Sequence, residues 1–254
     1  MGPGLTAAAP VALVTGAGSG IGRAAAYRLA RDGWALAVVD IDGERAAATA
    51  AAITDDQGSA VGLQADVTDE EEITRAVESA CERLGPLTAF VGSAGVLSIS
   101  PALELPAAEW RRVLEVNLTG AFLATRAAAR VMVAEGAGGR IVQVASVHSV
   151  APGRGVAHYD ASKGGLLMLV RSLALELAPH RINVNAVGPG LIQTNLTPPD
   201  PAYLDLVIPA IPLRRTGQPE DIAGAIAFMC GPESSYMTGT MMVIDGGMLL
   251  TAHT

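Results

Sequence analysis

Short, continuously apolar runs alternate with longer segments of helical periodicity along the whole chain. The runs are rich in β-branched residues and predict strands at 10–15, 35–40, 60–65, 87–92, 140–146, 182–187 and 240–244. The segments between them predict helices at 21–32, 43–54, 69–84, 107–134, 157–178 and 220–229. Strands without a polar face are typical of a parallel sheet that helices cover on both sides.

This alternation predicts the α/β class, as a doubly wound Rossmann-type fold with a seven-stranded, mostly parallel sheet and helices on both faces. Neither a linker nor a shift in composition divides the chain, so we expect residues 1–254 to form a single domain. The irregular stretch at about 191–215 is rich in proline. A loop of that length predicts a lid or a substrate-binding segment.

Composition and charge exclude several classes of protein. Half of the residues are apolar, which suffices for a large core, and the formal net charge of -8 argues against a nucleic-acid binder. No apolar run approaches the roughly 18 residues of a membrane span, and the first basic residue is Arg23, unlike a secretory signal. Cys81 and Cys230 form no disulfide framework, and the histidines lack metal-ligand spacing. We therefore expect a cytoplasmic protein without a metal site.

A glycine-rich turn joins the first predicted strand to the first helix. Residues 15–22 read Thr-Gly-Ala-Gly-Ser-Gly-Ile-Gly. Glycine lets the backbone approach a pyrophosphate closely, and a helix N-terminus offers free N–H groups and a positive dipole end. The sequence therefore predicts a dinucleotide site contacted by Gly16, Ser19, Gly20, Ile21 and Gly22.

An acidic residue, Asp40, ends the second predicted strand 18 residues after Gly22. A carboxylate there accepts hydrogen bonds from ribose hydroxyls and repels a 2′-phosphate, and the neighbouring residues 17–19 and 41 supply no cation. NAD is therefore predicted over NADP. Asp66 and Val67 follow the third strand, where the Asp66 carboxylate either lies near the adenine or caps a loop.

The chain has 16 arginines and a single lysine, Lys163, four residues after Tyr159 on a predicted helix. Residues at that spacing share a helix face. Tyrosine, with an ordinary pKa near 10, is a poor acid or base at neutral pH, and a neighbouring ammonium is expected to lower that pKa. Ser146 lies at the carboxyl end of the fifth strand, where it could orient a substrate oxygen, and His148 is a further candidate substrate contact.

Together these residues resemble the short-chain dehydrogenase/reductase family, in its short single-domain branch, from Thr15 to about Gly247. The resemblance implies that Tyr159 is the general acid/base and that Lys163 binds the nicotinamide ribose. It implies that Ser146 holds the reacting oxygen, and that Asn117 supports a proton relay through water. The segment Gly188-Pro-Gly followed by Thr194 matches a family motif, which implies cofactor contacts from Pro189, Gly190, Ile192 and Thr194.

One segment departs from the family pattern. The usual Asn-Asn-Ala-Gly after the fourth strand is replaced here by Gly92-Ser-Ala-Gly. Ala94 and Gly95 still allow close approach to the cofactor. The sequence does not indicate which residues replace the local sheet contacts of the lost asparagines.

The predicted function is an NAD(H)-dependent oxidoreductase that interconverts a secondary alcohol and its ketone, with no metal. A 3-oxoacyl-carrier-protein reductase is the enzymatic alternative. The resemblance implies that such enzymes use NADP, whereas Asp40 favours NAD. A non-catalytic NAD-binding sensor is the alternative of another class. The partner is predicted to be a small alcohol or ketone, and the helices near 107–134 and 157–178 are expected to pair in a homotetramer.

Overall fold

A computed structural model of the protein describes residues 9–197 and 201–251. Its centre is a seven-stranded sheet in the order β3-β2-β1-β4-β5-β6-β7, with every adjacent pair of strands parallel. The strands are β1 (Val11–Thr15), β2 (Ala35–Asp40), β3 (Ser59–Gln64), β4 (Leu87–Gly92), β5 (Gly139–Val144), β6 (Ile182–Pro189) and β7 (Met241–Ile244). The strands β2 and β3 are added on one side of β1, and β4 to β7 are added on the other side. The carboxyl ends of β1 and β4 therefore form the switch point at which ligands bind in such sheets.

Helices cover both faces of this sheet, as predicted. They are α1 (Gly20–Arg31), α2 (Gly43–Asp55), α3 (Glu70–Leu84), α4 (Ala107–Leu114), α5 (Ala121–Glu135), α6 (Ala157–Leu177), α7 (Pro201–Val207) and α8 (Pro219–Cys230). Leu13 of β1 belongs to the core beneath α3, α5 and α6, whereas Val14 belongs to the core beneath α1, α2 and α8. Because both faces are buried, successive strand residues are apolar. The predicted fold class is confirmed.

The predicted helix at 107–134 is wrong in one respect. A π-helical segment, Glu115–Gly120, separates α4 from α5. Its wider turn buries Asn117, which is 1% exposed. Gly120 packs so closely on Val67 that an added Cβ would lie 2.8 Å from the valine Cγ2.

The stretch predicted as irregular at 191–215 contains the short helix α7 and a 3-10 turn, Ile208–Ala210. Pro201 opens α7, where the missing N–H costs no helical hydrogen bond. Proline in this stretch therefore starts helical turns as well as interrupting them. Of the predicted loop, residues 198–200 lie outside the described residues. Among the described residues, no helix is long and apolar enough to cross a membrane, and no cluster of side chains could hold a metal ion.

Candidate functional site

Three segments that lie far apart in the sequence meet at the carboxyl edge of the sheet. An added Cβ on Gly16 would lie 2.8 Å from Cα of Ala94, and one on Gly20 would lie 3.4 Å from Cγ2 of Thr194. Both glycines have positive φ, at 64° and 52°. The turn at 15–22, the segment after β4 and the segment after β6 therefore form one site, and glycine is required where they approach.

The N-terminus of α1 lies in this site without an acidic residue in its first turn. Ser19 is its N-cap, and its hydroxyl makes no capping hydrogen bond. An added Cβ on Gly22 would lie 2.3 Å from the Gly16 carbonyl oxygen, so a side chain there would break the turn. Such a turn, with backbone N–H groups at a positive helix end, can hold a pyrophosphate.

Asp40 lies beneath the same turn. Its Oδ2 accepts a hydrogen bond of 2.8 Å from the backbone N–H of Gly18, and its Oδ1 accepts one of 3.0 Å from that of Asp42. The carboxylate is partly exposed at the end of β2, where it can still meet ribose hydroxyls.

A cation that the sequence prediction missed lies beside Asp40. An added Cβ on Gly18 would lie 2.7 Å from Cβ of Arg45, so the base of the arginine side chain packs on the turn. The guanidinium pairs with Asp42 at 3.0 Å and is largely exposed. The expectation that no cation is near was drawn from sequence neighbours alone and is wrong, because the first turn of α2 brings position 45 to the site.

A cavity of about 480 Å³ extends along this region. It is lined by the turn residues Gly18, Ser19 and Gly20 and by residues 193–195. Arg23 and Arg45 also line it. Its shape and its cations suit the phosphate-bearing half of a dinucleotide.

The remaining predicted cofactor contacts lie at the same edge of the sheet. Gly190 packs against Asp245, and Ile192 is buried with its backbone paired to Gly217. Asp66 accepts hydrogen bonds from the backbone N–H and the hydroxyl of Thr68, at 2.9 and 2.8 Å. Of the two readings left open for Asp66, the loop-capping contact is therefore present in the structure.

The departure from the family pattern at Gly92 has a local explanation. An added Cβ on Gly92 would lie 2.2 Å from Oε1 of Gln143 on the neighbouring strand β5. Gln143 is buried and donates to Thr125 Oγ1 at 2.6 Å. Its amide fills the space at which a side chain would begin at position 92, so Gly92 and Gln143 compensate for one another. The backbone N–H of Ser93 donates to Thr15 Oγ1 at 3.2 Å, which joins β1 to the turn after β4.

Asn117 joins the turn after β4 to α6. Its Oδ1 accepts from the Val96 N–H at 2.8 Å, and its Nδ2 donates to the Val96 carbonyl and to Ser162 Oγ, at 2.9 and 3.1 Å. Ser162 in turn donates to the Tyr159 carbonyl at 2.7 Å. An added Cβ on Gly95 would lie 3.3 Å from Asn117 Oδ1 and 3.8 Å from Lys163 Nζ. Asn117 therefore positions the segment that joins the cofactor turn to the tyrosine and the lysine.

Tyr159, Lys163 and Ser146 lie together, as predicted from their positions. Lys163 is 5% exposed, its Nζ lies 5.6 Å from the centroid of the Tyr159 ring, and it donates to the Val144 carbonyl at 2.8 Å. Burial lowers the pKa of Lys163 from 10.5 to about 8.

The pKa of Tyr159 differs from the sequence expectation. Burial raises the pKa of the phenol, a hydrogen bond with Ser146 lowers it, and the Asp160 carboxylate raises it further. The expected decrease caused by the lysine is wrong for this structure, because desolvation dominates and the ammonium instead hydrogen-bonds the strand carbonyl. The shift leaves the phenol protonated at neutral pH.

His148 and Asp160 form a pair beside the tyrosine that sequence reasoning found only in part. His148 Nδ1 lies 2.7 Å from Asp160 Oδ1, and the two aromatic rings meet edge to face with centroids 5.5 Å apart. His148 also donates its backbone N–H to Ser146 Oγ at 3.1 Å. Asp160 follows Tyr159 directly, and its contact with His148 could not be inferred from spacing.

A further series of side-chain hydrogen bonds reaches the start of α6. The buried His158 lies 2.8 Å from Ser98 Oγ, which bonds Glu109 at 2.5 Å, and Glu109 binds Arg112 at 2.7 Å. Arg112 and Ser98 lower the pKa of Glu109 from 4.5 to about 2. These hydrogen bonds fix the segment after β4 against α4 and α6, so His158 has a structural role.

Comparison with known proteins agrees with this architecture. A family model described as enoyl-(acyl carrier protein) reductase matches residues 16–249. A 3-oxoacyl-[acyl-carrier-protein] reductase of Synechocystis sp. is 36% identical over 244 residues, covering 95% of this chain and 98% of that protein. A (3R)-3-hydroxyacyl-CoA dehydrogenase of Rattus norvegicus is 37% identical over 250 residues, covering 94% and 96%.

A solved structure shows the same fold. The crystal structure of a short-chain type dehydrogenase/reductase from Mycobacterium marinum superposes with a TM-score of 0.92 at 37% identity, covering 95% of this chain and 96% of that one. Both the sequence and the fold are therefore shared over nearly the full length. The chain belongs to the short-chain dehydrogenase/reductase family, whose members are oxidoreductases that use a nicotinamide cofactor.

Proposed function

We propose that the protein is an NAD(H)-dependent oxidoreductase that interconverts a secondary alcohol and its ketone, with Tyr159 as general acid and base. The main support is the position of Ser146, Tyr159 and Lys163 next to the segment 94–95, which itself contacts the glycine-rich turn. A proton donor and a cofactor cradle are thereby adjacent. By resemblance to the family, an enoyl reductase of similar fold would have a wider spacing of tyrosine and lysine. The four-residue spacing of Tyr159 and Lys163 therefore favours a ketone over an enoyl substrate.

Each residue then has a defined task. When bound, the nicotinamide ring supplies or accepts the hydride. Ser146 orients the reacting oxygen, and Tyr159 donates its phenolic proton to that oxygen during reduction or accepts the proton during oxidation. Lys163, which is buried and close to the Tyr159 ring, is the group that binds the nicotinamide ribose. Asn117 positions the segment at Val96, and its share in a proton relay remains a prediction because both polar atoms of its side chain already have partners.

Within the site, NAD is proposed as the cofactor because the Asp40 carboxylate, at the end of β2 and bonded to the glycine-rich turn, would accept hydrogen bonds from ribose hydroxyls and repel a 2′-phosphate. Arg45 argues in the opposite direction, but its guanidinium pairs with Asp42 at 3.0 Å. Affinities of NADH and NADPH, measured through the fluorescence of the bound nicotinamide, test this choice. A preference for NADPH in the unmodified protein would refute it.

The catalytic assignment is tested by Tyr159→Phe, which keeps the ring and removes the transferable proton. We expect alcohol-dependent reduction of NAD to fall by about 10²–10⁴-fold while NADH binding persists. Tyr236→Phe is the matched control, because Tyr236 is fully exposed. Unchanged activity of Tyr159→Phe would show that the proton is transferred by another group.

Reduction of a 3-oxoacyl thioester is the second candidate. Two observations favour it. Relatives carry this type of activity in their names. In addition, Arg45 lies next to the cofactor turn, where a cation would favour NADP, the cofactor expected of 3-oxoacyl-carrier-protein reductases. Acetoacetyl-CoA assayed with NADH and with NADPH separates the two candidates. Faster turnover of this thioester than of any simple ketone would establish the second one.

A homotetramer in the cytoplasm remains part of the proposal. Met168 and Leu175 are 58% and 80% exposed on α6, seven residues apart and so on one helix face. An apolar stripe of this kind would be covered by a second copy. Light scattering that gives the mass of a monomer at working concentrations would refute the tetramer.

A further inference from the structure

We propose that His148, held by Asp160, binds a second hydroxyl group of the substrate, next to the carbon that reacts. This inference rests on the proposed function and narrows its substrate class to vicinal diols and related polyols. It concerns the pair of side chains, His148 and Asp160, of which the imidazole packs edge to face against Tyr159, and it requires no change in the catalytic roles.

The carboxylate of Asp160 fixes the imidazole in one orientation. Its Oδ1 lies 2.7 Å from His148 Nδ1, while its Oδ2 accepts the backbone N–H of Gly153 at 3.0 Å. A carboxylate can only accept, so Nδ1 carries the proton in this contact. In the neutral ring Nε2 is then a hydrogen-bond acceptor.

Nε2 is left for a ligand. The described residues offer it no hydrogen-bond partner, and the His148 side chain is 29% exposed. The ring stands edge to face with Tyr159, at 5.5 Å between centroids, and its own backbone N–H is bonded to Ser146 Oγ. The imidazole is therefore next to the Tyr159 ring, and its backbone is bonded to Ser146, the two residues proposed to hold the reacting oxygen.

The backbone around the pair leaves space for the ring. An added Cβ on Gly153 would lie 2.5 Å from Cε1 of His148 and 2.8 Å from Cγ2 of Val156. A side chain at position 153 would thus push the imidazole from its place. Both the anchor of Nδ1 and the space for the ring are built by residues 153 and 160, which indicates that the orientation of His148 is specified.

The chemistry of the acceptor selects the ligand. An acceptor nitrogen binds a hydroxyl that donates, whereas a thioester or ketone oxygen is itself an acceptor and gains nothing from it. A vicinal diol offers one hydroxyl to Ser146 and Tyr159 and a second to Nε2. A net hydrogen bond of this kind contributes about a tenfold preference.

The test compares 2,3-butanediol with 2-butanol as substrates for reduction of NAD. The ratio of their kcat/KM values is measured in the unmodified protein and in His148→Asn, whose amide can still donate to Asp160 but does not reach the position of Nε2. We expect the ratio to fall by about tenfold in this variant. His148→Gln, whose amide oxygen reaches further, should restore part of it. Gly153→Ala should lower it, because the added Cβ displaces the imidazole without replacing the histidine.

The control is His180→Asn, because His180 is exposed in the turn after α6, and this variant should leave the ratio unchanged. A purely structural role of His148 would lower the rates with both alcohols equally, and an unchanged ratio would therefore overturn the inference while the proposed function stands. If the unmodified protein oxidises neither alcohol with NAD or NADP but reduces acetoacetyl-CoA, the alcohol dehydrogenase proposal fails, and the diol inference fails with it.

Discussion

The buried Lys163 should lower the free energy of unfolding of the protein at neutral pH. Lys163 is 5% exposed, and burial lowers its pKa from 10.5 to about 8. The charged form is thus disfavoured in the folded state relative to the unfolded state. Replacing the residue by methionine, which has a similar length and no charge, should stabilise the cofactor-free protein at neutral pH while abolishing its activity.

The magnitude follows from the pKa shift. A difference of about 2.5 pH units corresponds to about 3 kcal/mol, at about 1.4 kcal/mol for each unit. Against this, Lys163→Met leaves the Val144 carbonyl without the hydrogen bond of 2.8 Å that Nζ donates, at a cost of about 1 kcal/mol. The variant should therefore be more stable by about 2 kcal/mol at pH 7.

The sign of this difference should change with pH. Below pH 8 the lysine is charged in both states and its full penalty applies; above 10.5 it is neutral in both states and the penalty is gone. Between these values the folded state has released its proton and the unfolded state has not, so the unmodified protein gains stability as the pH rises. At about pH 10.5, Lys163→Met should be the less stable protein, by about 1 kcal/mol, because only the lost hydrogen bond remains.

The assay is urea unfolding of the two proteins between about pH 7 and pH 10.5, at one protein concentration because self-association would shift the transition. Lys163→Arg serves as the control: an arginine stays charged throughout this range, so its stability should not rise relative to that of Lys163→Met. A Lys163→Met protein that is less stable at pH 7, or a difference independent of pH, would refute the reasoning.

Three further predictions concern the frame of the site. Gly92→Ala should destabilise the protein by about 2 kcal/mol, because its Cβ would lie 2.2 Å from Gln143 Oε1, and adding Gln143→Ala should recover part of the loss in a double-mutant cycle followed by urea unfolding. Gly22→Ala should weaken NADH binding by more than about tenfold in a fluorescence titration, since the Cβ would lie 2.3 Å from the Gly16 carbonyl oxygen; unaltered affinity would contradict the cradle. The lowered pKa of Glu109 stabilises the folded state above pH 4.5, and this stabilisation is lost as the pH falls from 4.5 to about 2. Glu109→Gln should therefore remove this part of the loss of stability in acid. Thermal unfolding of both proteins at about pH 5 and pH 3 measures the change.

Much of the fold could be predicted from the sequence because its strands are buried on both sides. Val11 to Thr15 pack alternately against two helical layers, so every position is apolar or small and the run is visible without knowledge of the partners. The predicted site residues meet for a related reason: each of them follows a parallel strand or begins the next helix, and those ends share one edge of the sheet. A site built in this way can be inferred from the order of elements alone.

The contacts between neighbouring elements could not be predicted. Arg45 reaches the turn at Gly18 only because α2 begins beside it, and Gln143 fills the space at Gly92 from another strand. No periodicity indicates the π-helical turn that buries Asn117 or the close approach of Gly120 to Val67. These features depend on distances across the sheet, and a single sequence contains no measure of them.

The tyrosine and the lysine illustrate why placement is easier to infer than protonation. Spacing on one helix is enough to bring Tyr159 and Lys163 together. The direction in which the pKa of Tyr159 shifts depends on two opposed effects, attraction to a cation and loss of solvent. In the structure the loss of solvent dominates the pKa of both residues, so burial favours the neutral phenol and also the neutral amine. A phenol that holds its proton at neutral pH is prepared to donate to a carbonyl oxygen, whereas it must first lose that proton to accept one from an alcohol. The hydrogen bond from Ser146, which lowers the pKa of Tyr159, therefore contributes more to alcohol oxidation than to ketone reduction.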